Sequence, residues 1–311
     1  MSLVNIEPES FSNLEDKVIV VIGATTGIGA AVIRQLTDIR AKVVWGDVAE
    51  PPTPDARFVR TDATSYGSVL DLFKTALAAH GRIDHAVYSA GLAGPGEDGR
   101  LLDTVTAFPS SPIEEEPSTR VLDVNLRGAI FFTRIAAHYL RESLAAANGE
   151  GSARGREGEA HDDDASILLV GSSTAIAGFA GPVQYGASKH GVLGLFRGAR
   201  SILSANGSGV GIRMNVVVPS LTRTQMISKF VDIFASRGLM CNEPEDVASA
   251  ITHALASRAD GEGYYVAGSK TYEIEKRLEA LRAQWLGEDV YRDLVAVQDA
   301  FADIARHKPQ V

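Results

Sequence analysis

Residues 17–29 read KVIVVIGATTGIG: a lysine, the unbroken apolar run Val18 to Ile22, and then Gly23, Gly27 and Gly29 within seven positions. A β-branched run of this kind suits a strand covered on both faces, as in a parallel sheet. Ile28, Val32 and Leu36 then recur at helical spacing as far as Ile39, so strand, glycine turn and helix are expected in direct succession. Such a turn lets the backbone approach a pyrophosphate and offers it the free N–H groups of a helix N-terminus. The alternative is a tight strand-to-helix turn with no ligand.

The flanking chain repeats the pattern. Val43-Val44-Trp45-Gly46-Asp47 reads as a second strand, ending in a carboxylate about twenty residues past the turn, where it can accept hydrogen bonds from an adenosine ribose. Asp47 would also repel a 2′-phosphate, and no Lys or Arg lies in the glycine turn, which favours NAD over NADP; a solvated loop aspartate is the competing reading. Beyond the stiff connector Pro51-Pro52-Thr53-Pro54, Arg57 to Arg60 is a short strand, and Asp62 after it either bonds an adenine amino group or turns the chain and caps the next helix. A helix over 65–79 (Val69, Leu72, Phe73, Ala76, Leu77) leads to a strand over Asp84 to Tyr88, closed by Ser89-Ala90-Gly91. A helix over 119–146 carries Asn125 near its start, with Leu122, Leu126 and Ile130 on one side. Ile167 to Val170, Gly211 to Val218 (halted at Pro219) and Tyr264 to Ala267 are further strands. Helices are expected over 184–204, with Val192, Leu195 and Phe196 apolar, and from the acidic start Glu243-Pro244-Glu245-Asp246. Six or seven strands alternating with helices specify an α/β fold: a Rossmann-like, doubly wound parallel sheet of about seven strands with helices on both faces.

Residues 1–269 are expected to form one domain, with 1–16 a polar leader, 92–118 a partly ordered flap and 148–164 a mobile polar insertion. Residues 270–311 form a C-terminal helical extension with two apolar stripes separated at Gly287, packed on the same domain or on a partner subunit. Met226, Phe230, Ile233, Phe234, Leu239 and Met240 either wall a substrate pocket or fill ordinary core.

Chemistry is suggested by Ser172 to Lys189, SSTAIAGFAGPVQYGASK. Tyr185 and Lys189 are four residues apart and share a helix face. An ammonium beside a phenol favours the phenolate and lowers its pKa from about 10. Ser172, delivered to the C-terminal edge of the sheet by its strand, could share a substrate oxygen with Tyr185. Taken alone, a Tyr-x-x-x-Lys pair is more often a surface pair, Asn125 a helix-surface amide and Ser172 a strand-end cap.

Composition narrows the class. The 311 residues are 45% hydrophobic and 22% charged, an ordinary globular balance. A net charge of -9 argues against a general nucleic-acid or anionic-membrane surface. The single Cys241 excludes an intrachain disulfide and reads as a small buried apolar residue. No signal-like N-terminus and no run near about 18 apolar residues is present, so a soluble, cytoplasmic protein is expected. His161 beside Asp162 to Asp164 reads as an exposed charge run rather than a metal site, and the scattered histidines suggest no metal.

Taken together, the chain over roughly residues 15–269 resembles the short-chain dehydrogenase/reductase superfamily in its compact single-domain form. Gly23, Gly27 and Gly29 match the cofactor glycines; Asn125, Ser172, Tyr185 and Lys189 match the catalytic tetrad in order and spacing; Pro219 and Thr224 match the segment that holds the nicotinamide carboxamide. With Thr25, Ile28, Asp47, Asp62, Ala63, Ala90, Gly91, Tyr185 and Lys189 they make up the implied NAD site. The resemblance implies Tyr185 as general acid/base, Ser172 as donor to the same substrate oxygen, Lys189 on the nicotinamide ribose, and Asn125 positioning a water behind Lys189. Three departures stand out: Ile22 replaces a usual Thr, Tyr88-Ser89-Ala90-Gly91 stands where Asn-Asn-Ala-Gly is common, so that bracing of the central strand must be made otherwise, and Ser220 follows Pro219 in place of glycine. The implied activity is interconversion of a secondary alcohol and a ketone on a small-molecule substrate, with the helices at 119–146 and 184–204 joining a homodimer or homotetramer. Oxidation of a cis-dihydrodiol to an aromatic diol is a second reading, and a non-catalytic cofactor-binding scaffold a third.

Overall fold

The computed structural model describes residues 2–93, 114–147, 164–204 and 211–306. Its strands are β1 (Ser2–Val4), β2 (Val18–Ile22), β3 (Lys42–Asp47), β4 (Phe58–Arg60), β5 (His85–Tyr88), β6 (Ala165–Val170), β7 (Ile212–Pro219), β8 (Gly263–Ala267) and β9 (Lys270–Glu273). They form one sheet in the order β1-β9-β8-β7-β6-β5-β2-β3-β4. Strands β2 to β8 are parallel, the seven expected, and the order reverses between β2 and β5, where a doubly wound sheet opens its ligand crevice.

Helices cover both faces: α1 (Gly27–Asp38), α2 (Tyr66–His80), α3 (Arg120–Ala147, described below), α4 (Val183–Leu203), a short α5 (Val231–Ser236), α6 (Pro244–Ala256), α7 (Glu275–Leu286) and α8 (Glu288–Arg306). The period-2 alternation of β2 divides the core. Val18, Val20 and Ile22 pack with Phe73, Phe132 and Phe196 of α2, α3 and α4, whereas Ile19 and Val21 pack with Val32, Leu36 and Ile251 of α1 and α6. Both faces of the run are buried, which explains its lack of polar alternation.

Several expectations are corrected. The stretch expected as a polar leader carries structure: Ser2–Val4 pairs antiparallel with β9, and a 3-10 turn over Pro8–Leu14 buries Phe11 and Leu14. The strand β9 in turn forms an antiparallel hairpin with β8 across the expected boundary at 269/270. Helix α3 starts as an α-turn (Arg120–Leu122), passes through a π-segment (Asp123–Arg127) and continues as α-helix over Gly128–Ala147. The wide turn shifts the register, so Val121, Asn125, Ala129 and Phe132 face inward and Ile130 is exposed. Residues 225–236 are a 3-10 turn followed by α5 with no buried residue, which excludes ordinary core for Met226, Phe230 and Ile233. Cys241 is partly exposed.

Helix α7 is fixed to the body by Glu275, a buried carboxylate bound by Arg197 and Arg200 of α4 at 2.7 and 3.1 Å. Helix α8 hydrogen-bonds α7 through Tyr291 and Glu279 at 2.9 Å, with Gly287 at φ +87° between them, the expected stop. Val290, Val297, Phe301 and Ile304 of α8 are exposed. Among the described residues no helix is long and apolar enough to cross a membrane, and no group of three or more His, Cys, Asp or Glu is placed to hold a metal ion. Residues 94–113, most of the expected flap, and 148–163, including His161 to Asp163, lie outside the described residues.

A polar layer lies at the strands' N-terminal ends, opposite the site edge. Asp164, grouped by composition with the solvated insertion, is buried and accepts from Arg213 Nε and Nη2 at 2.6 and 2.8 Å. His85 is fully buried, with Nδ1 2.9 Å from Ser166 Oγ and, among the described residues, no partner for Nε2. Burial pushes the His85 imidazole down to about 4, against the attraction of Asp164 and Asp84. The unfolded imidazole takes its proton near pH 6.5 and the folded one only near 4, so the unfolded chain binds more protons in that window and stability falls as pH falls through it. On this basis, lowering the pH from 6.5 to 4 should destabilise the protein by about 3 kcal/mol from this residue. Urea melts of His85→Gln beside wild type would test it: a wild-type slope that the variant retains in full would rule His85 out as the source.

Candidate active site

The site is assembled on the C-terminal edge of β2, β3, β5, β6 and β7. Gly23 leaves β2 at φ +81°, and a Cβ there would lie 2.3 Å from the Ala90 nitrogen, so only glycine allows the turn to pack on the end of β5. Its N–H donates to the Gly46 carbonyl at 2.8 Å. The Thr25 N–H donates to Asp47 Oδ2 at 3.0 Å and the Thr25 hydroxyl to the Ala49 carbonyl at 2.8 Å, so the β3 carboxylate braces the glycine turn. Gly27, Ile28 and Gly29 open α1, whose N-cap, Thr26, makes no side-chain cap among the described residues. The first-turn N–H groups of α1 are therefore left for another acceptor. Thr224 sits over this turn, its Cγ2 3.2 Å from the position a Gly27 Cβ would take. A bare glycine surface at an uncapped helix start, flanked by a carboxylate at a strand end, fits a dinucleotide.

Asp62 accepts from Thr64 N and Oγ1, both at 2.8 Å, and the next helix, α2, is capped by Ser65 rather than by Asp62. Ala63 is buried against α3, its carbonyl 2.9 Å from where a Gly128 Cβ would be. Pro219 ends β7 opposite Val266, and the Ser220 N–H donates to the Val266 carbonyl at 2.8 Å.

Ser172 follows β6 and its hydroxyl accepts from Thr174 N at 3.2 Å, opening a short 3-10 turn. Tyr185 and Lys189 lie one turn apart on α4, with Lys189 Nζ 5.7 Å from the Tyr185 ring centroid. The ammonium donates to the Val170 carbonyl at 2.9 Å, and burial pulls it down to about 8. Burial raises the Tyr185 phenol, and a hydrogen bond with Ser172 pulls it back. This differs from the simple expectation of a cation-lowered phenol: desolvation outweighs an ammonium that is itself turned to a strand carbonyl.

Asn125, fully buried in the π-segment, joins three elements. Its Nδ2 donates to the Leu92 carbonyl and to Ser188 Oγ, both at 2.9 Å, and its Oδ1 accepts from Leu92 N at 2.7 Å. A Cβ on Gly91 would stand 3.6 Å from both Asn125 Oδ1 and Lys189 Nζ, which places the two groups around one backbone point. Ser188, missed by sequence reasoning, also donates to the Tyr185 carbonyl at 2.7 Å. Its only signal is a hydroxyl on the inward face of α4, next to Lys189. The side chains of Ser172, Tyr185, Lys189 and Asn125 thus converge, while Asp47, Asp62 and Ala63 stand apart on the β3–β4 side.

A family model described as short chain dehydrogenase matches residues 17–232. The chain is 33% identical over 283 residues to a short-chain dehydrogenase/reductase, ascJ, of Acremonium egyptiacum, covering 89% of this chain and 87% of that one. It is 33% identical over 260 residues to the cis-4-hydroxycyclohexanecarboxylate dehydrogenase of Sinomonas cyclohexanicum, covering 78% and 90% respectively. Among solved structures, the ligand-free aldohexose dehydrogenase of Thermoplasma acidophilum shares the fold at a TM-score of 0.63 and 23% identity, over 83% of this chain and 95% of that one. ElxO with NADP bound shares it at 0.62 and 20% identity, over 81% and 98%.

Proposed function

This chain belongs to the short-chain dehydrogenase/reductase family, and from that premise we propose that it is an NAD-dependent enzyme interconverting a secondary alcohol and a ketone, with Tyr185 as the proton-transfer group. Membership makes it an oxidoreductase; the cofactor and the residue roles are our reading. The observation that carries them is the buried Lys189 ammonium one turn from Tyr185, its Nζ 5.7 Å from the ring centroid, with Ser172 at the adjoining strand end pulling the phenol down against its burial.

A bound nicotinamide dinucleotide supplies the hydride acceptor or donor. Residues Gly27 to Gly29 hold its diphosphate by backbone N–H groups, Asp47 takes the ribose hydroxyls, and Thr224 closes over the turn. In the oxidative direction Tyr185 Oη removes the alcohol proton, and Ser172 steadies the charge on the same oxygen. Lys189 offsets the phenolate charge in a site where burial opposes it. The exposed Met226, Phe230 and Ile233 of the 225–236 segment favour an apolar substrate, and a relative named for a hydroxycyclohexane ring supports a cyclic secondary alcohol. Subunit contacts fall on the outward faces of α3 and α4, where Ile130 and Ile202 are exposed.

The direct experiment follows nicotinamide absorbance with cyclic and acyclic secondary alcohols and ketones, using both cofactors. Turnover of none of them by folded protein would sink the proposal. For cofactor choice, Asp47→Ser keeps an acceptor for Thr25 N–H and removes the charge. The ratio of kcat/KM for NAD over NADP should fall at least about 10-fold, the effect of roughly 1.4 kcal/mol of lost discrimination. A ratio unmoved by the substitution would show that Asp47 does not read the ribose.

A further inference from the structure

We infer that Tyr88 is a positioning residue: its hydroxyl, seated in the space left by Gly128, holds the π-segment of α3 and through it sets the carboxamide of Asn125. The kinetic consequence rests on the proposed function and on the role that the family resemblance implies for Asn125, positioning a water behind Lys189; the geometry does not.

The wide turn leaves a particular carbonyl to be served. In an α-helix the Gly128 N–H would donate to Val124, but here it donates five residues back, to Asp123. The Val124 carbonyl instead accepts the Tyr88 hydroxyl, from the end of β5. Gly128 makes this approach possible, since a Cβ there would stand 2.3 Å from Tyr88 Oη. Burial, with the Asp62 charge adding to it, raises the Tyr88 phenol far above its ordinary value, so it remains a neutral donor at any working pH.

Val124 is the residue before Asn125, so the bond grips the backbone at the position from which the carboxamide projects. That carboxamide spans the Leu92 backbone on one side and Ser188, hence the Tyr185 carbonyl, on the other. One phenol therefore ties the central strand to the turn that joins the chain after β5 to the helix of Tyr185 and Lys189. This is the brace that the absent Asn-Asn-Ala-Gly sequence leaves to be made by other means. The ring of Tyr88 packs on Phe132 at 5.3 Å between centroids, a contact that a phenylalanine would keep.

The test is Tyr88→Phe, which deletes one oxygen. Exchange of the Leu92 amide, followed by NMR on selectively labelled full-length protein, should quicken about 10-fold while the amides of β6 exchange as before. With a substrate that turns over, kcat should fall about 5- to 20-fold with KM for cofactor within two-fold. The double variant Tyr88→Phe/Asn125→Ala should be no slower than Asn125→Ala alone. Gly128→Ala, which crowds the hydroxyl from the other side, should give the same Leu92 signature and serves if the first variant folds poorly. Unaltered Leu92 exchange in both variants overturns the inference, whatever the activity. So does a quickening spread evenly through the sheet, or a double variant in which the two losses multiply. Faster Leu92 exchange with an Asn125→Ala enzyme as active as wild type upholds the positioning of Asn125 and removes only its catalytic assignment.

Discussion

Replacing Tyr185 with Phe is expected to lower kcat by about 10³-fold, the usual worth of a positioned proton-transfer group, while cofactor affinity changes by no more than a few-fold. The ring lies on α4 beside the Lys189 ammonium and needs its oxygen for little else than the bond to Ser172. Phenylalanine retains the shape, so a loss of this size, roughly 4 kcal/mol of barrier, must come from chemistry rather than packing. The natural competing explanation is a half-buried tyrosine that merely caps Ser172. In that case the variant would turn over within a few-fold of wild type, and steady-state rates beside a fluorescence titration with NADH would reveal it.

The largest effect on stability is expected at Arg213. Its guanidinium is buried, meets both oxygens of Asp164 and also donates to the carbonyls of Ala254, Leu255 and Ala259. It thereby ties the start of β7 to the residue before β6 and to the last turn of α6, whose carbonyls have no intrahelical partner. Burial resists the Asp164 charge, but the bonds and charge of Arg213 outweigh it and hold the carboxyl below its usual range. Arg213→Ala strands that carboxylate and the carbonyls of Ala254 and Leu255, while Ala259 keeps the Asn215 amide as donor, at a cost of about 3–5 kcal/mol. A chain of this size should then melt on the order of 10 °C lower. Exchanging the pair together, as Arg213→Met with Asp164→Leu, should recover most of the loss. A single variant that melts with wild type would show that the ion pair contributes nothing. Since the layer lies at the far ends of the strands, kcat measured well below the melt should hold.

Legibility followed periodicity. The strand β2, the turn to α1 and the strand ends at Asp47 and Ser172 could be read because buried parallel strands carry long apolar runs and glycines mark a close approach. Ser2–Val4 could not, since three residues with an exposed face carry no period, and their strand identity depends on β9 at the other end of the chain. Leu122, Leu126 and Ile130 were read as one side of a uniform helix; Leu126 packs on the core, but beyond the π-turn Ile130 faces solvent. The tetrad residues were visible by spacing, but Ser188 and the Leu92 backbone, which join Asn125 to α4 and β5, were not. Their contribution depends on distances between elements far apart in the chain. Asp164 was grouped with its acidic neighbours because composition averages over a window and cannot see a single side chain turn inward to Arg213.

The pairing of Ser2 with Glu273 joins positions nearly a chain length apart. During synthesis the first strand would leave the ribosome with nothing to zip onto, and must wait until residues 270–273 follow it out. Closing so long a loop is entropically slow but adds little to the final cost, so the seam is expected to be the last part of the sheet to form and the first to fray. A bulky fusion placed ahead of Ser2 would therefore weigh on maturation rather than on chemistry.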